Sequence, residues 1–338
     1  MPHRTFPQKV VIAPDSFKES LAASGVAHAI ASGLCELWPD TELLCLPMAD
    51  GGEGTVAAVI AATGGRTVPV EATDPLGDAI TAHFGLLPDN TTAIVEVAAA
   101  SGLELVAPSD RNPLLATSFG TGELILAAAR TGVRRCVIGI GGSATVDGGA
   151  GLLQALGVRL LDASGEPIPR GGAGLIHLRH IDLSTLNPAL RTCDFEVACD
   201  VDNPLTGPHG AAAIFGPQKG ATAAMIPELE AGLANFARVL ASDLGIHIAQ
   251  TPGAGAAGGI GAALIACLGA QLRPGVDLIA ELVQLEAALH NADLVVTGEG
   301  RIDAQTARGK TPVGVARLAK QHGIPVIALA GSIGPGAE

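Results

Sequence analysis

Tyrosine is absent from this 338-residue chain, and aromatic residues of all kinds make up only 2% of it. That argues against a groove that stacks sugars or nucleic-acid bases on aromatic faces. Basic clusters are lacking too, and the formal net charge is −13. A phosphodiester backbone finds no electrostatic footprint here, so no nucleic-acid partner is expected. No C-x-x-C pair occurs among Cys35, Cys45, Cys136, Cys193, Cys199 and Cys267. Several of them sit inside apolar runs and read as free thiols of a reducing compartment. No apolar segment follows Met1–Pro7 to make a signal peptide. The longest uncharged window, Thr251 to Leu272, opens with glycine and alanine. It reads as a loop followed by a buried helix over Ile260 to Leu268, so no membrane partner is expected.

What is abundant is small aliphatic residues and glycine. Apolar content is 48%, and there are 45 glycines. That mixture, at this length, suggests an α/β protein of two domains or one large one. The stretch that organises the chain is Gly139-Ile140-Gly141-Gly142-Ser143-Ala144-Thr145-Val146-Asp147-Gly148-Gly149-Ala150-Gly151. The apolar run Cys136–Ile138 feeds it, and the helical run Leu152–Leu156 leaves it. Strand, glycine-rich loop and helix together make an anion site from backbone N–H groups. Ser143 and Thr145 add hydroxyls, and Asp147 adds a carboxylate that could hold magnesium. The plainer reading is a tight turn whose glycines only permit close packing.

The same construction recurs. Val10–Ala13 reads as a strand ending at Asp15-Ser16-Phe17-Lys18. A helix follows, with Ser20 or Ser24 as its cap. Leu43–Leu46 reads as a strand ending at Asp50-Gly51-Gly52-Glu53, with a helix over Val56 to Ala62. Thr67–Ala72, Ile80–Leu86 and Thr92–Val97 then form a meander, which places a domain boundary near residue 66. Phe195–Cys199 reads as a strand ending at Asp200-Val201-Asp202-Asn203. One helix is expected over Leu278 to Leu289. Leu294–Val296 reads as a strand ending in the loop Gly298-Glu299-Gly300-Arg301-Ile302-Asp303. Thr311 is the expected cap of the helix behind it, Ile324–Leu329 the last strand, and Gly331–Gly334 the last loop. The N- and C-terminal pieces therefore share one parallel sheet, residues 1–65 with 290–338. Residues 66–289 are inserted as a second domain.

Five apolar strands thus end in loops of glycine, acids and hydroxyls, with Lys18, Arg301 and Lys310 supplying positive charge. In open α/β sheets ligands bind at the carboxyl ends of strands. Phosphoryl transfer needs this mixture of anion-binding amides, metal-holding acids, a cation and a base. Two motif matches fall short. Gly309-Lys310-Thr311 has the tail of a P-loop, but Ala304 stands where the motif needs glycine. Lys310 still adjoins a helix start and is a phosphate candidate. Gly139-x-Gly141-x-x-Ala144 fits a dinucleotide fingerprint, with Asp162 at the end of the next strand. It supports a nicotinamide-dependent dehydrogenase as an alternative, although Asp147-Gly148-Gly149 interrupts the helix that reading requires.

Together, Ile12–Lys18, Pro47–Thr55, Ile138–Thr145, Ala198–Leu205, Phe215–Ala221 and Thr297–Arg301 closely resemble the bacterial glycerate kinases of the glycerate 2-kinase type. The resemblance runs from about residue 9 to the end. It departs at Val146, where the family usually has asparagine, and the family's members continue beyond Glu338 with a further strand and helix. It implies ATP-dependent, magnesium-assisted phosphorylation of D-glycerate to 2-phosphoglycerate in the cytoplasm, with a homodimer as the assembly entertained. A 3-phosphoglycerate-forming kinase and a non-catalytic small-anion binder are the further alternatives. It also implies two α/β domains, one flavodoxin-like and one with a mixed sheet, flanking an active-site cleft. On this reading Gly141, Gly142, Ser143, Thr145 and Lys310 hold ATP phosphates. Asp200 and Asp202 are magnesium ligand and general base in either order, with Asp147 as a further metal candidate. Lys18 and Arg301 hold the substrate carboxylate or the moving phosphoryl group. Asp15, Ser16, Asp50, Gly51, Gly52, Glu53, Gly298 and Glu299 line the substrate side.

Overall fold

The computed structural model describes residues 6–304, 306 and 309–336. Met1–Thr5, where the leader was sought, lie outside that set, as do Ala337 and Glu338. Two compact units are formed, one from residues 1–66 with 274–338 and one from residues 67–273.

The first unit is built on a four-stranded sheet in the order Val326–Ile333, Leu294–Ile302, Lys9–Ile12, Glu42–Cys45. All its pairings are parallel, with Val10 opposite both Leu294 and Leu43, and Val295 opposite Val326. Taken from the other edge this is the 2-1-3-4 run of a flavodoxin-like sheet. Val10, Ile12, Ala27 and Val296 form its buried centre. Parallel strands buried on both faces read as continuous apolar runs, which is why Val10–Ile12 and Leu294–Val296 were legible as strands.

Several local expectations differ. The Ala23–Leu37 helix starts after Ala22 without a side-chain cap, so neither Ser20 nor Ser24 caps it. Lys310 is the N-cap of the Thr311–Gln321 helix, and Thr311 is its first residue. Leu278–Leu289 is not one helix. Gln284 takes a left-handed conformation (φ 55°) and divides Gly275–Leu282 from Leu285–Leu289. Residues 274–289 also cluster with the first unit rather than with the insertion. Val276 packs at Gly314, and Asp277 pairs with Arg317, both on the Thr311–Gln321 helix. Most consequential, Gly298–Ile302 and Gly331–Ile333 are not loops. They continue their strands, paired from Gly298 opposite Leu329 to Ile302 opposite Ile333. A side chain at Gly298 would meet the Leu329 carbonyl, so glycine there serves strand packing.

The second unit carries a six-stranded mixed sheet in the order Gln271–Arg273, Asp194–Ala198, Arg135–Gly139, Thr92–Glu96, Ala79–Leu86, Arg66–Thr73. The first four strands are parallel, and Ala79–Leu86 runs antiparallel to Thr92–Glu96. The helices Phe119–Arg130, Ala150–Ala155, Met225–Leu244 and Ile260–Leu268 contribute Leu124, Leu152, Phe236 and Leu264 to one continuous core. Ile260–Leu268 is the helix expected from sequence, and no helix among the described residues is long and apolar enough to cross a membrane.

Candidate active site

In the second unit the parallel register aligns Glu96, Gly139, Ala198 and Arg273 across four strands. The loops that follow the first three therefore leave from one edge, the carboxyl edge at which α/β sheets bind ligands. The Gly139–Gly151 loop is fixed there by the Ser101–Leu103 segment. Leu103 N–H donates to the Gly142 carbonyl and Ala144 N–H to the Ser101 carbonyl, both at 2.8 Å. Gly142 takes a left-handed φ of 72°, which glycine allows without strain. Among the described residues no acceptor is found for the N–H groups of Gly141, Gly142 and Ser143. Successive unpaired amides of this kind are an anion-binding concavity.

Asp147 occupies a different place from the one foreseen. It is fully buried and accepts four hydrogen bonds. Its Oδ2 takes Ser118 N–H and Oγ–H at 2.8 Å and Gly151 N–H at 3.2 Å, and its Oδ1 takes Gly149 N–H at 3.0 Å. Burial pushes its carboxyl pKa up, and these donors oppose the shift. A carboxylate so engaged anchors the loop, with three of its four accepted bonds on Oδ2.

Lys219 was missed as a site residue. It is 3% exposed, and its Nζ donates to Ser143 Oγ and to the Thr145 carbonyl, both at 2.7 Å. Burial pushes its pKa down to about 7, and the Asp147 charge opposes the shift. The sequence signal for it was the Phe215–Ala221 motif of the resemblance, which contains this lysine. Ser101, Ser118 and Thr121 were likewise missed. Thr121 Oγ donates to Ser101 Oγ at 2.8 Å, and Leu152 N–H donates to Ser118 Oγ at 2.9 Å. Ser118 and Thr121 stand at a helix start and Ser101 at a helix end, positions where such residues read as caps, which hides such roles.

Asp200 and Asp202 follow the end of the Asp194–Ala198 strand, so the alternation that would part them no longer applies. Both are exposed, and both raise the Cys199 thiol pKa, where burial is the larger cause.

The first unit has a topological switch point. From Lys9–Ile12 the chain steps to one side, to Glu42–Cys45, while Leu294–Ile302 lies on the other side. Crevices at such reversals are binding sites. Here the carboxyl edge gathers Asp15, Asp50 and Glu299, which act on one another electrostatically. Asp15 N–H donates to the Gly298 carbonyl at 2.8 Å. Asp15 Oδ1 accepts from Ser16 N–H at 2.6 Å and Oδ2 from Thr311 Oγ–H at 2.5 Å. Burial first, then the Asp50 charge, pushes the Asp15 pKa up to about 6, against the pull of those two donors. Glu299 is buried and also raised, mainly by burial, opposed by its hydrogen bond from Thr306 and by Lys310. Asp50 Oδ1 accepts from Gly52 N–H at 3.1 Å, with Gly51 buried beside it and Glu53 exposed.

Gly300 lies against the Phe17–Lys18 backbone, which brings the exposed Lys18 beside the Glu299–Arg301 strand segment. Arg301 is exposed too and pairs with Asp303 at 3.3 Å. Among the described residues no group of three His, Cys, Asp or Glu side chains could hold a metal ion unaided.

The dehydrogenase alternative does not survive this geometry. The helix after the glycines begins at Ala150, not at Gly141. Asp162 follows a strand, Arg159–Leu161, that belongs to a separate two-stranded ribbon with His180–Asp182. Neither the helix dipole nor the ribose-binding acid is where a dinucleotide would need it.

Comparison with known proteins shows the family. The glycerate kinase family model matches residues 10–338. The chain is 54% identical to the glycerate 2-kinase of Escherichia coli K12 over 325 residues, covering 96% of this chain and 85% of that protein. It is 54% identical to the glycerate kinase of Bacillus subtilis 168 with the same coverage. It superposes on the crystal structure of the provisionally named glycerate kinase 2 of Salmonella typhimurium LT2 with a TM-score of 0.91. The identity there is 54%, covering 98% of this chain and 90% of that one.

Proposed function

This chain belongs to the glycerate kinase family, and on that premise we propose that it transfers the terminal phosphoryl group of ATP to the 2-hydroxyl of D-glycerate. It is an ATP-dependent kinase. The 2-phosphoglycerate product is supported by the name of the Escherichia coli relative. The observation that carries the reading is the row of unpaired amides at Gly141, Gly142 and Ser143 on the carboxyl edge of a parallel sheet.

In this proposal Gly141, Gly142, Ser143 and Thr145 take the ATP phosphates, and Lys310, at a helix start, meets phosphate. Lys18 and Arg301, both exposed cations, hold the glycerate carboxylate or the phosphoryl group in flight. Asp15, Ser16, Asp50, Gly51, Gly52, Glu53, Gly298 and Glu299 form the substrate side. Asp200 and Asp202 serve as magnesium ligand and general base, in either order.

Magnesium fits as a shared ligand. Mg2+ is commonly held by one or two carboxylates plus substrate phosphates, so a three-acid cage is not required. Asp200 and Asp202, exposed and two residues apart, suit that partial set, whereas Asp147 does not. When bound, the ion would offset charge on the phosphate oxygens. The six free cysteines support a reducing, cytoplasmic setting. Sedimentation analysis tests the homodimer.

The test is ADP release with magnesium-ATP and D-glycerate, with phosphorus NMR of the product. A 2-phosphoglycerate signal is expected. A 3-phosphoglycerate signal overturns the regiochemistry, and no turnover overturns the enzyme assignment. Asp200→Asn is expected to lower kcat by about 10²–10⁴-fold. Turnover near wild type in the folded variant would remove Asp200 from the mechanism.

A further inference from the structure

Beneath the glycine loop lies a cation that the roles above leave unused. The Lys219 ammonium is almost wholly buried, and among the described residues its hydrogen bonds go to a hydroxyl and a carbonyl, not to a carboxylate. Its place is set by a rigid turn. Lys219 N–H donates to the Gly216 carbonyl at 3.0 Å, and so does Ala221 N–H. Gly220, at φ 92°, packs so closely on Arg111 that a side chain there would meet the Arg111 carbonyl. A buried charge hydrogen-bonded only to neutral acceptors is costly in the resting protein; the Asp147 charge offsets part of that cost, and a bound anion would offset more.

The two tethers are informative. They hold Ser143 and Thr145, two residues apart, and so brace the segment that carries the unpaired amides. Because Ser143 Oγ accepts from Lys219, its own hydrogen is left to donate elsewhere. Thr145 Oγ is buried with no partner, so the loop's polar groups are not all satisfied from within.

We propose that Lys219 is a positioning residue for phosphoryl transfer. From behind the Gly141–Thr145 loop it fixes Ser143 as a donor toward the ATP phosphates and sets one positive charge behind the loop amides. Donors preorganised in this way need no rearrangement as charge develops on the phosphoryl oxygens. The proposal rests on the reading of that loop as the phosphate cradle.

The test is steady-state kinetics on the full chain, varying magnesium-ATP and D-glycerate in turn, for Lys219→Met, Lys219→Gln, Ser143→Ala and the Met/Ala double variant. Thermal unfolding of each is recorded alongside. Lys219→Met is expected to lower kcat/KM for ATP by about tenfold or more while leaving KM for D-glycerate unchanged. Lys219→Gln, which keeps donors without charge, recovers part of that loss. The double variant is no worse than the poorer single one, as expected if the lysine acts through Ser143. A merely structural lysine would lower melting temperature without separating the two substrates. If Ser143→Ala weakens ATP use but Lys219→Met does not, or if the two losses multiply, the lysine proposal falls and the cradle stands. If neither variant alters ATP kinetics, the cradle reading falls with it. Should the Met variant not fold, the Gln variant and its Ser143→Ala cycle decide between the same outcomes.

Discussion

Replacing Asp147 by asparagine separates an anchor from a metal ligand. Asp147 Oδ2 accepts three hydrogen bonds and Oδ1 accepts one. An asparagine keeps its oxygen on the three-donor side. Its NH2 then faces Gly149 N–H, donor against donor. One charge-assisted bond is lost, at about 1.5–3 kcal/mol, and a buried donor is left unpaired at about 1–3 kcal/mol. The neutral amide escapes the desolvation that pushes the Asp147 pKa up, which offsets part of this. The net loss comes to roughly 2–4 kcal/mol. For a unit of this size the melting temperature then falls by roughly 5–15 °C. Thermal unfolding without magnesium or nucleotide is the assay, because the anchor acts in the empty protein. An unchanged melting temperature, combined with a raised magnesium requirement for turnover, would refute the reasoning and restore Asp147 as a ligand.

Asp15 gives a prediction with a pH sign. Its folded pKa of about 6 lies above the ordinary 3.8, so the folded state binds the proton more tightly than the unfolded chain. That stabilisation is full below about pH 4 and is lost as pH rises through 6. Asp15→Asn should therefore be more stable than wild type at pH 8, by about 1–3 kcal/mol, and equal to it near pH 4. Urea titrations at the two pH values check this, and a variant less stable at both contradicts it. Gly258→Ala adds a Cβ 1.9 Å from the Thr145 carbonyl at φ 71°, so a loss of roughly 2–5 kcal/mol is expected in thermal unfolding. Gly33→Ala is its control. It sits within the Ala23–Leu37 helix with nothing within 4 Å of the new Cβ, and should gain about 0.5–1 kcal/mol.

What the sequence determined by itself was periodic or punctuated. Val10–Ile12 and Leu294–Val296 are apolar on both faces, which marks them as parallel strands, and the return of that texture near the C-terminus joined the two ends in one sheet. The glycine loop after Ile138, the Asp15 and Asp50 loops and the Ile260–Leu268 helix were legible for the same local reason. Tertiary structure decided what depends on partners far along the chain. Gly298–Ile302 looks like a glycine loop and is a strand because Ala328–Ile333 supplies its hydrogen bonds. Asp147 looks like a ligand and is an anchor because Ser118, 29 residues away, turns two donors on it. Lys219 stands in a short glycine-flanked turn by sequence and is buried because that turn delivers it to Ser143, 76 residues away. Local propensity carries no record of such partners. A polar group's role is fixed by which donors, acceptors and charges the fold brings within a few ångströms of it.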